Sequence, residues 1–339
     1  MDKLASLFQA HFGCTPTRIT PFTGAGSNRR YIRLETDEQS AIGVIGTSIQ
    51  ENRAFIYISR HFAALNLPVP KVYAIATDGM RYLQEDLGSR ALYDALAPAR
   101  ARGFSYEKDD ENLLEKTLRA LAHIQIEGGK GLDETRLLSP RKMDTRAAMF
   151  DLNYFKYMFL RVQDIPFDEL LLEDDMMQLA KTLCGEVCNT FLYRDFQARN
   201  VMLTTTGEPR FIDYQGGRFG PLEYDVASFL WQTSSRYPEV LKERLLEAYL
   251  DELSTLRPID KDRFRERLKN FVLLRTLQVL GAYGLRGIVE RKTYFLNSIP
   301  TAIDNLQELL TQGVCRSYPY LEETLQRLCE AEINYGTNE

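Results

Sequence analysis

The chain has 339 residues, 44% of them hydrophobic and 26% charged, which is the composition of a folded protein with room for one large or two moderate cores rather than of a disordered one. Its formal net charge of -5 weighs against a nucleic-acid partner, which needs a basic face, and no apolar run approaches the ~20 residues that span a bilayer, so no membrane role is expected. The five cysteines show no Cys-x-x-Cys spacing, and the N-terminus lacks the order of a signal peptide; reduced thiols and a cytoplasmic location follow as expectations.

In chain order, Met1 to Phe8 reads as the start of an amphipathic helix. Arg18 to Phe22 and Tyr31 to Glu35 read as strands joined by the turn Thr23 to Arg30, where Gly24 and Gly26 permit positive φ and let successive N–H groups face an anion. A third strand, Ala41 to Ile45, precedes a helix from Glu51 to Leu65 that Pro68 and Pro70 stop. Two further strands, Val72 to Ala76 and Met80 to Gln84, flank the turn Thr77-Asp78-Gly79.

Beyond Gly88 helical periodicity takes over, with helices expected over Ala91 to Leu96, Glu111 to Ile126, Asp144 to Leu160, Asp174 to Thr190, Tyr224 to Gln232, Glu239 to Glu252, Lys261 to Val289, Thr301 to Leu310 and Tyr320 to Leu328. Arg100 to Asp110 reads as a surface loop. The change of pattern predicts an α+β chain with a small β-rich lobe over 1-86 and a larger helical lobe over 87-339.

One stretch interrupts the helices. Phe191 to Leu203, then Thr206-Gly207-Glu208-Pro209, then Arg210 to Gln215, reads as a loop followed by a hairpin that draws Asp195, Asn200 and Asp213 together. Phosphoryl transfer needs such a set: one carboxylate takes the proton of a hydroxyl while an amide and a second carboxylate hold Mg²⁺ on the nucleotide phosphates.

These features together resemble the aminoglycoside phosphotransferase and choline kinase branch of the two-lobed protein-kinase-like fold. Within it the chain is most similar to the cell-wall sugar kinases that phosphorylate the anomeric hydroxyl of N-acetylmuramate and N-acetylglucosamine. The resemblance rests on Gly26-Ser27-Asn28-Arg29-Arg30-Tyr31-Ile32-Arg33, on Leu83-Gln84-Glu85-Asp86-Leu87-Gly88, and on Ile212-Asp213-Tyr214-Gln215 with Gly220-Pro221-Leu222-Glu223-Tyr224-Asp225.

The resemblance implies an ATP- and Mg²⁺-dependent kinase of a small-molecule sugar acceptor, with no protein partner evident. It makes Asp195 the catalytic base and Asn200 and Asp213 the metal ligands, with Asp225 as a brace. Gly24, Gly26 and Ser27 would meet the nucleotide phosphates and Gln84 and Glu85 the adenine edge. Arg199, Gln215 and Asp151 would meet the acceptor, Asp151 on a helix shared with Phe155 and Tyr157.

Two departures stand out. Tyr193 occupies the place of the usual histidine two residues before the base, and is expected to pack and hydrogen-bond near Asp213. No lysine occurs between Lys3 and Lys71, so the third strand cannot offer the usual phosphate-binding lysine; Arg29, Arg30 and Arg33 are the substitutes in reach, Arg30 is favoured, and Glu51 is its expected partner. An aminoglycoside or amino-alcohol kinase, or an inactive nucleotide-binding regulatory module, are the alternatives.

Overall fold

Residues 2–23, 29–186, 188–333 and 335 are described by a computed structural model. The chain begins with α1 (Asp2–Phe12), β1 (Arg18–Thr23), β2 (Arg30–Glu35), β3 (Ser40–Ile45), α2 (Ile49–Ala64), β4 (Val72–Ile75) and β5 (Arg81–Glu85). It continues with α3 (Leu92–Ala95), α4 (Ala97–Ala101), α5 (Lys108–Gly129), α6 (Thr145–Phe155), α7 (Glu169–Cys184), β6 (Phe191–Leu192), β7 (Val201–Leu203), β8 (Pro209–Phe211) and β9 (Arg218–Phe219). Last come α8 (Glu223–Leu230), α9 (Glu239–Leu256), α10 (Lys261–Tyr283), α11 (Thr293–Leu296), α12 (Ile299–Thr311) and α13 (Pro319–Glu330). The class is α+β.

The chain forms two units, one of residues 1–141 and 193–218, the other of residues 142–192 and 219–339. The lobes expected at 1-86 and 87-339 divide the chain by type of secondary structure, whereas these units divide it by packing. Helices α3 to α5 and the hairpin of β7 and β8 contact the first unit's own elements, as in the bond from Leu203 N to Arg90 O at 2.8 Å.

In the first unit five antiparallel strands lie in the order β1-β2-β3-β5-β4. Alternation along β2 and β3 buries Ile32, Leu34 and Ala41, and α1 covers them with Leu4 and Phe8. Gly43 makes that cover possible: a Cβ there would lie 2.8 Å from a Leu34 methyl and 2.9 Å from one of Leu4. Helix α2 starts on the Ser48 hydroxyl, which accepts from Glu51 N at 3.3 Å, and buries Phe55, Ile58 and Phe62. The expected loop over Arg100 to Asp110 is partly helical, because Glu107 and Asp110 form a reciprocal capping box that starts α5 at Lys108.

In the second unit α10 packs against α6, α8 and α12. Residues 261–289 are apolar and long enough to cross a membrane, yet 56% of their most apolar window is buried within the protein, as in the core helix of a folded domain. Two helices expected to be continuous are interrupted. After Phe155 and after Tyr283 the backbone widens into π-helical turns, Lys156–Leu160 and Gly284–Val289. Backbone meets backbone there: a Cβ on Gly284 would fall 1.7 Å from Met158 O, so only glycine fits. Lys156, 1% exposed, is held by Glu169 at 3.1 Å and Glu173 at 3.0 Å of α7.

Candidate active site

The hairpin of β7 and β8 pairs Val201 with Phe211 and Leu203 with Pro209, closed by a turn with Gly207 at φ 81°. Its approach is anchored by Tyr193, whose buried ring lies edge-on to Phe196, Phe211 and Tyr214 and whose hydroxyl donates to Ile212 O. The tyrosine thus packs and hydrogen-bonds one residue before Asp213.

Around this anchor the backbone takes unusual conformations. Arg194 (φ 77°) and Asp213 (φ 68°) are in the left-handed region, which costs a non-glycine residue of order 1–3 kcal/mol and persists only where surrounding contacts impose it. Asn200 supplies one such contact. Its amide nitrogen donates to the Asp195 carbonyl at 2.9 Å and to Asp213 Oδ2 at 3.4 Å, while its own carbonyl accepts from Ile212 N at 3.0 Å. The other Asp213 oxygen accepts from Gln215 Nε2 at 2.8 Å. Three residues spread over nineteen positions are joined by one side-chain amide, and Asp195 remains exposed.

Asn200 and Asp213 line a cavity of about 230 Å³ that Arg29, Ile42, Tyr82, Gln84 and Arg199 also line, all in the first unit. Strand β3 offers it the apolar Ile42 and no cation. The buried cation is Arg29, 4% exposed, whose guanidinium donates to Glu51 of α2 at 3.1 Å. Burial opposes its charge, but attraction to Tyr82, Tyr31, Asp213 and Glu51 outweighs burial and raises its pKa above the ordinary value. Arg30, the arginine expected here, is exposed within β2 opposite Thr23 and Ile45 and does not line this cavity. Arg29 precedes β2, so the strand's two-residue repeat does not set the direction of its side chain.

At the other end, Gln84 is 8% exposed and its Oε1 has no hydrogen-bond partner. A buried acceptor left unpaired costs ~1–3 kcal/mol, so this atom is poised for a donor from a ligand. Glu85 is differently engaged: its carboxylate accepts from Arg210 of β8 at 2.9 Å and from Lys71 N at 3.0 Å, tying the hairpin to the sheet. Arg33 pairs with Asp86 at 2.7 Å and is likewise structural.

The Arg199 guanidinium lies 3.6 Å from the centre of the Tyr93 ring, with that of Arg100 at the same distance, a contact no sequence spacing announces. Helix α2 reaches the site through Phe55, stacked between Tyr82 and Tyr214 at 5.4 and 5.1 Å, and through Ser59, which shares a 2.7 Å hydrogen bond with the Tyr214 hydroxyl. Asp151 belongs to the second unit, buried on α6, as does Asp225, buried on α8. Gly24, Gly26 and Ser27 lie outside the described residues.

Residues 18–259 match the model of a family described as "Phosphotransferase enzyme family". The chain belongs to that family. It is therefore a phosphotransferase, a kinase. Among curated proteins it is 24% identical to an N-acetylmuramate/N-acetylglucosamine kinase of Pseudomonas aeruginosa over 88% of this chain and 87% of that one. A kinase of the same name from Pseudomonas putida is 22% identical over 91% and 89%. Among solved structures, the choline kinase of Streptococcus pneumoniae superposes with a TM-score of 0.59 at 14% identity, over 91% of this chain and 99% of that one. A thermostable aminoglycoside phosphotransferase in ternary complex with AMP-PNP and hygromycin B gives 0.55 at 16% identity, over 89% and 98%. These neighbours share the protein-kinase-like fold.

Proposed function

We propose that this phosphotransferase family member uses ATP to phosphorylate a sugar hydroxyl, the anomeric hydroxyl of an N-acetylhexosamine. The observation that carries the reading is the Asn200 amide joining Asp195 and Asp213 at the edge of a cavity that also holds a buried arginine. The curated relatives' names, at 22% and 24% identity, support a sugar as acceptor.

Asp195 orients the acceptor hydroxyl and takes its proton as the acceptor oxygen forms its bond to the γ-phosphorus and the bond from that phosphorus to the β–γ bridging oxygen breaks, releasing ADP. Asn200 and Asp213 would hold Mg²⁺. The Asn200 side-chain oxygen and the Asp213 carboxylate are hard donors of the kind that ion takes, and when bound it would neutralise charge on the β- and γ-phosphoryl oxygens. Arg29, held by Glu51, takes the place of the missing strand lysine on the phosphates. Gln84 Oε1 accepts from the exocyclic amine of adenine, and Arg199, flattened on Tyr93, meets acceptor hydroxyls. Such an enzyme draws on ATP in the cytoplasm.

The test is ADP release from Mg²⁺-ATP with N-acetylmuramate, N-acetylglucosamine, an aminoglycoside and choline as acceptors. The reading expects stimulation by the N-acetylhexosamines and loss of that stimulation when the anomeric oxygen is methylated. Preference for choline or the aminoglycoside would reassign the acceptor. No stimulation by any acceptor, with ATP still raising the Tm, would favour a nucleotide-binding regulatory module.

A further inference from the structure

A second concavity of the first unit has no part in this chemistry. It measures about 650 Å³ and is lined by one face of α2, by Ile75 of β4 and Gly79 of the β4–β5 turn, and by residues 135–139 and Arg141. Four arginines line it, Arg53 and Arg60 from α2 and Arg136 and Arg141 from the later segment, and no aspartate or glutamate is among the described lining residues.

What marks these four is that they cluster in one concavity without a carboxylate partner. Elsewhere in the unit Arg18, Arg29, Arg33, Arg81, Arg102, Arg119 and Arg210 are each ion-paired with a carboxylate. Among the described residues Arg53, Arg60, Arg136 and Arg141 form no ion pair, in a chain whose 47 acidic residues outnumber its 42 basic ones. The nearby acid, Asp133, attracts Arg136 and Arg141 without forming an ion pair with either, and its Oδ1 accepts from the Thr135 hydroxyl at 2.7 Å and from Thr135 N at 2.9 Å.

Clustered like charges repel, and walls of low dielectric focus their field into the concavity. Arg53 and Arg60 stand seven residues apart on α2, about 10.5 Å along its axis, so they address two points of a ligand rather than one. The Arg136 guanidinium lies 4.2 Å from the centre of the Tyr57 ring, which orients its planar donors. Ile56 and Leu137 give an apolar floor. The volume suits a small organic molecule.

We infer that this concavity binds a small organic phosphate carrying more than one anionic group. Guanidinium pairs recognise phosphate through bidentate, charge-assisted hydrogen bonds, and the unpaired cluster supplies four such donors around an apolar floor. Helix α2 is shared with the catalytic cavity, to which it contributes Phe55 and the Glu51 partner of Arg29, so binding is measured with that cavity filled.

Calorimetric titration of the full chain with fructose 1,6-bisphosphate, in saturating Mg²⁺-ADP, is expected to give saturable binding of one equivalent that weakens as salt rises. Arg53→Gln/Arg60→Gln, and separately Arg136→Gln/Arg141→Gln, should each raise the Kd at least ~10-fold, while Arg30→Gln, which removes an exposed arginine outside both cavities, leaves it unchanged. All four arginines are exposed, so the variants should melt with the wild type. No saturable binding by the wild type, an unchanged Kd in both double variants, or displacement of the bisphosphate by ADP would overturn the inference. Inorganic phosphate binding as tightly as the bisphosphate would overturn its requirement for two anionic groups.

Discussion

Asp195 and Asn200 show how two side chains in one loop divide the work. Asp195 offers an exposed carboxylate, while Asn200 spends its amide nitrogen on the Asp195 carbonyl and the Asp213 carboxylate. Asp195→Asn should lower kcat at least ~10²-fold in a coupled ADP-release assay and leave the ATP Kd unchanged, since the loss falls on proton acceptance; wild-type turnover would remove Asp195 from this role. Arg29 is a residue the sequence named without favouring. Its neighbour Arg30 has the same chemistry, and only the start of β2 separates the buried one from the exposed one. Arg29→Ala should raise the ATP Kd by about tenfold, with Arg29→Lys recovering part of the loss, whereas Arg30→Ala should leave it within twofold. The reverse order by equilibrium titration would return the phosphate contact to Arg30.

Among the elements, β3 and α2 shape the cavity beside Asn200 and Asp213. The third strand turns Ile42 to the cavity, and Gly43 admits α1 to the sheet's opposite side. Gly43→Ala would press a methyl group to 2.8 Å from Leu34 and should destabilise the protein by ~1–3 kcal/mol in urea unfolding, with the ATP Kd little changed; a change below a few tenths would mean that α1 yields freely. The strands were legible because their alternation and turn residues are local signals. The breaks after Phe155 and Tyr283 were not, since helical periodicity continues through both and the cause, Gly284 against Met158 O, joins segments more than a hundred residues apart. The short strands β6 and β9 are equally opaque: two residues each carry no period.

At the scale of the whole chain, burial sets the state of the cysteines. Burial pushes the Cys184 and Cys315 thiols up to about 12 and those of Cys188 and Cys329 up to about 11, against 9.0 for an unperturbed thiol. Iodoacetamide at pH 8 should therefore leave all four unmodified in the native protein and modify them in urea, as mass spectrometry can read. The linkage runs in the same direction. Because the folded chain holds these protons at higher pH than the unfolded chain, their contribution to stability is complete below pH 9 and is lost as pH rises through about 11 to 12. The sequence by itself determined the α+β class, the enzyme family and the meeting of Asp195, Asn200 and Asp213, because a hairpin and its preceding loop bring those residues together through contacts near in sequence. Only the tertiary structure decided that Arg29 is the buried cation, that Gln84 carries an unpaired acceptor, that Arg199 lies on Tyr93, and that four unpaired arginines share one concavity. Those facts depend on which distant side chains share a volume, and local periodicity carries no record of that.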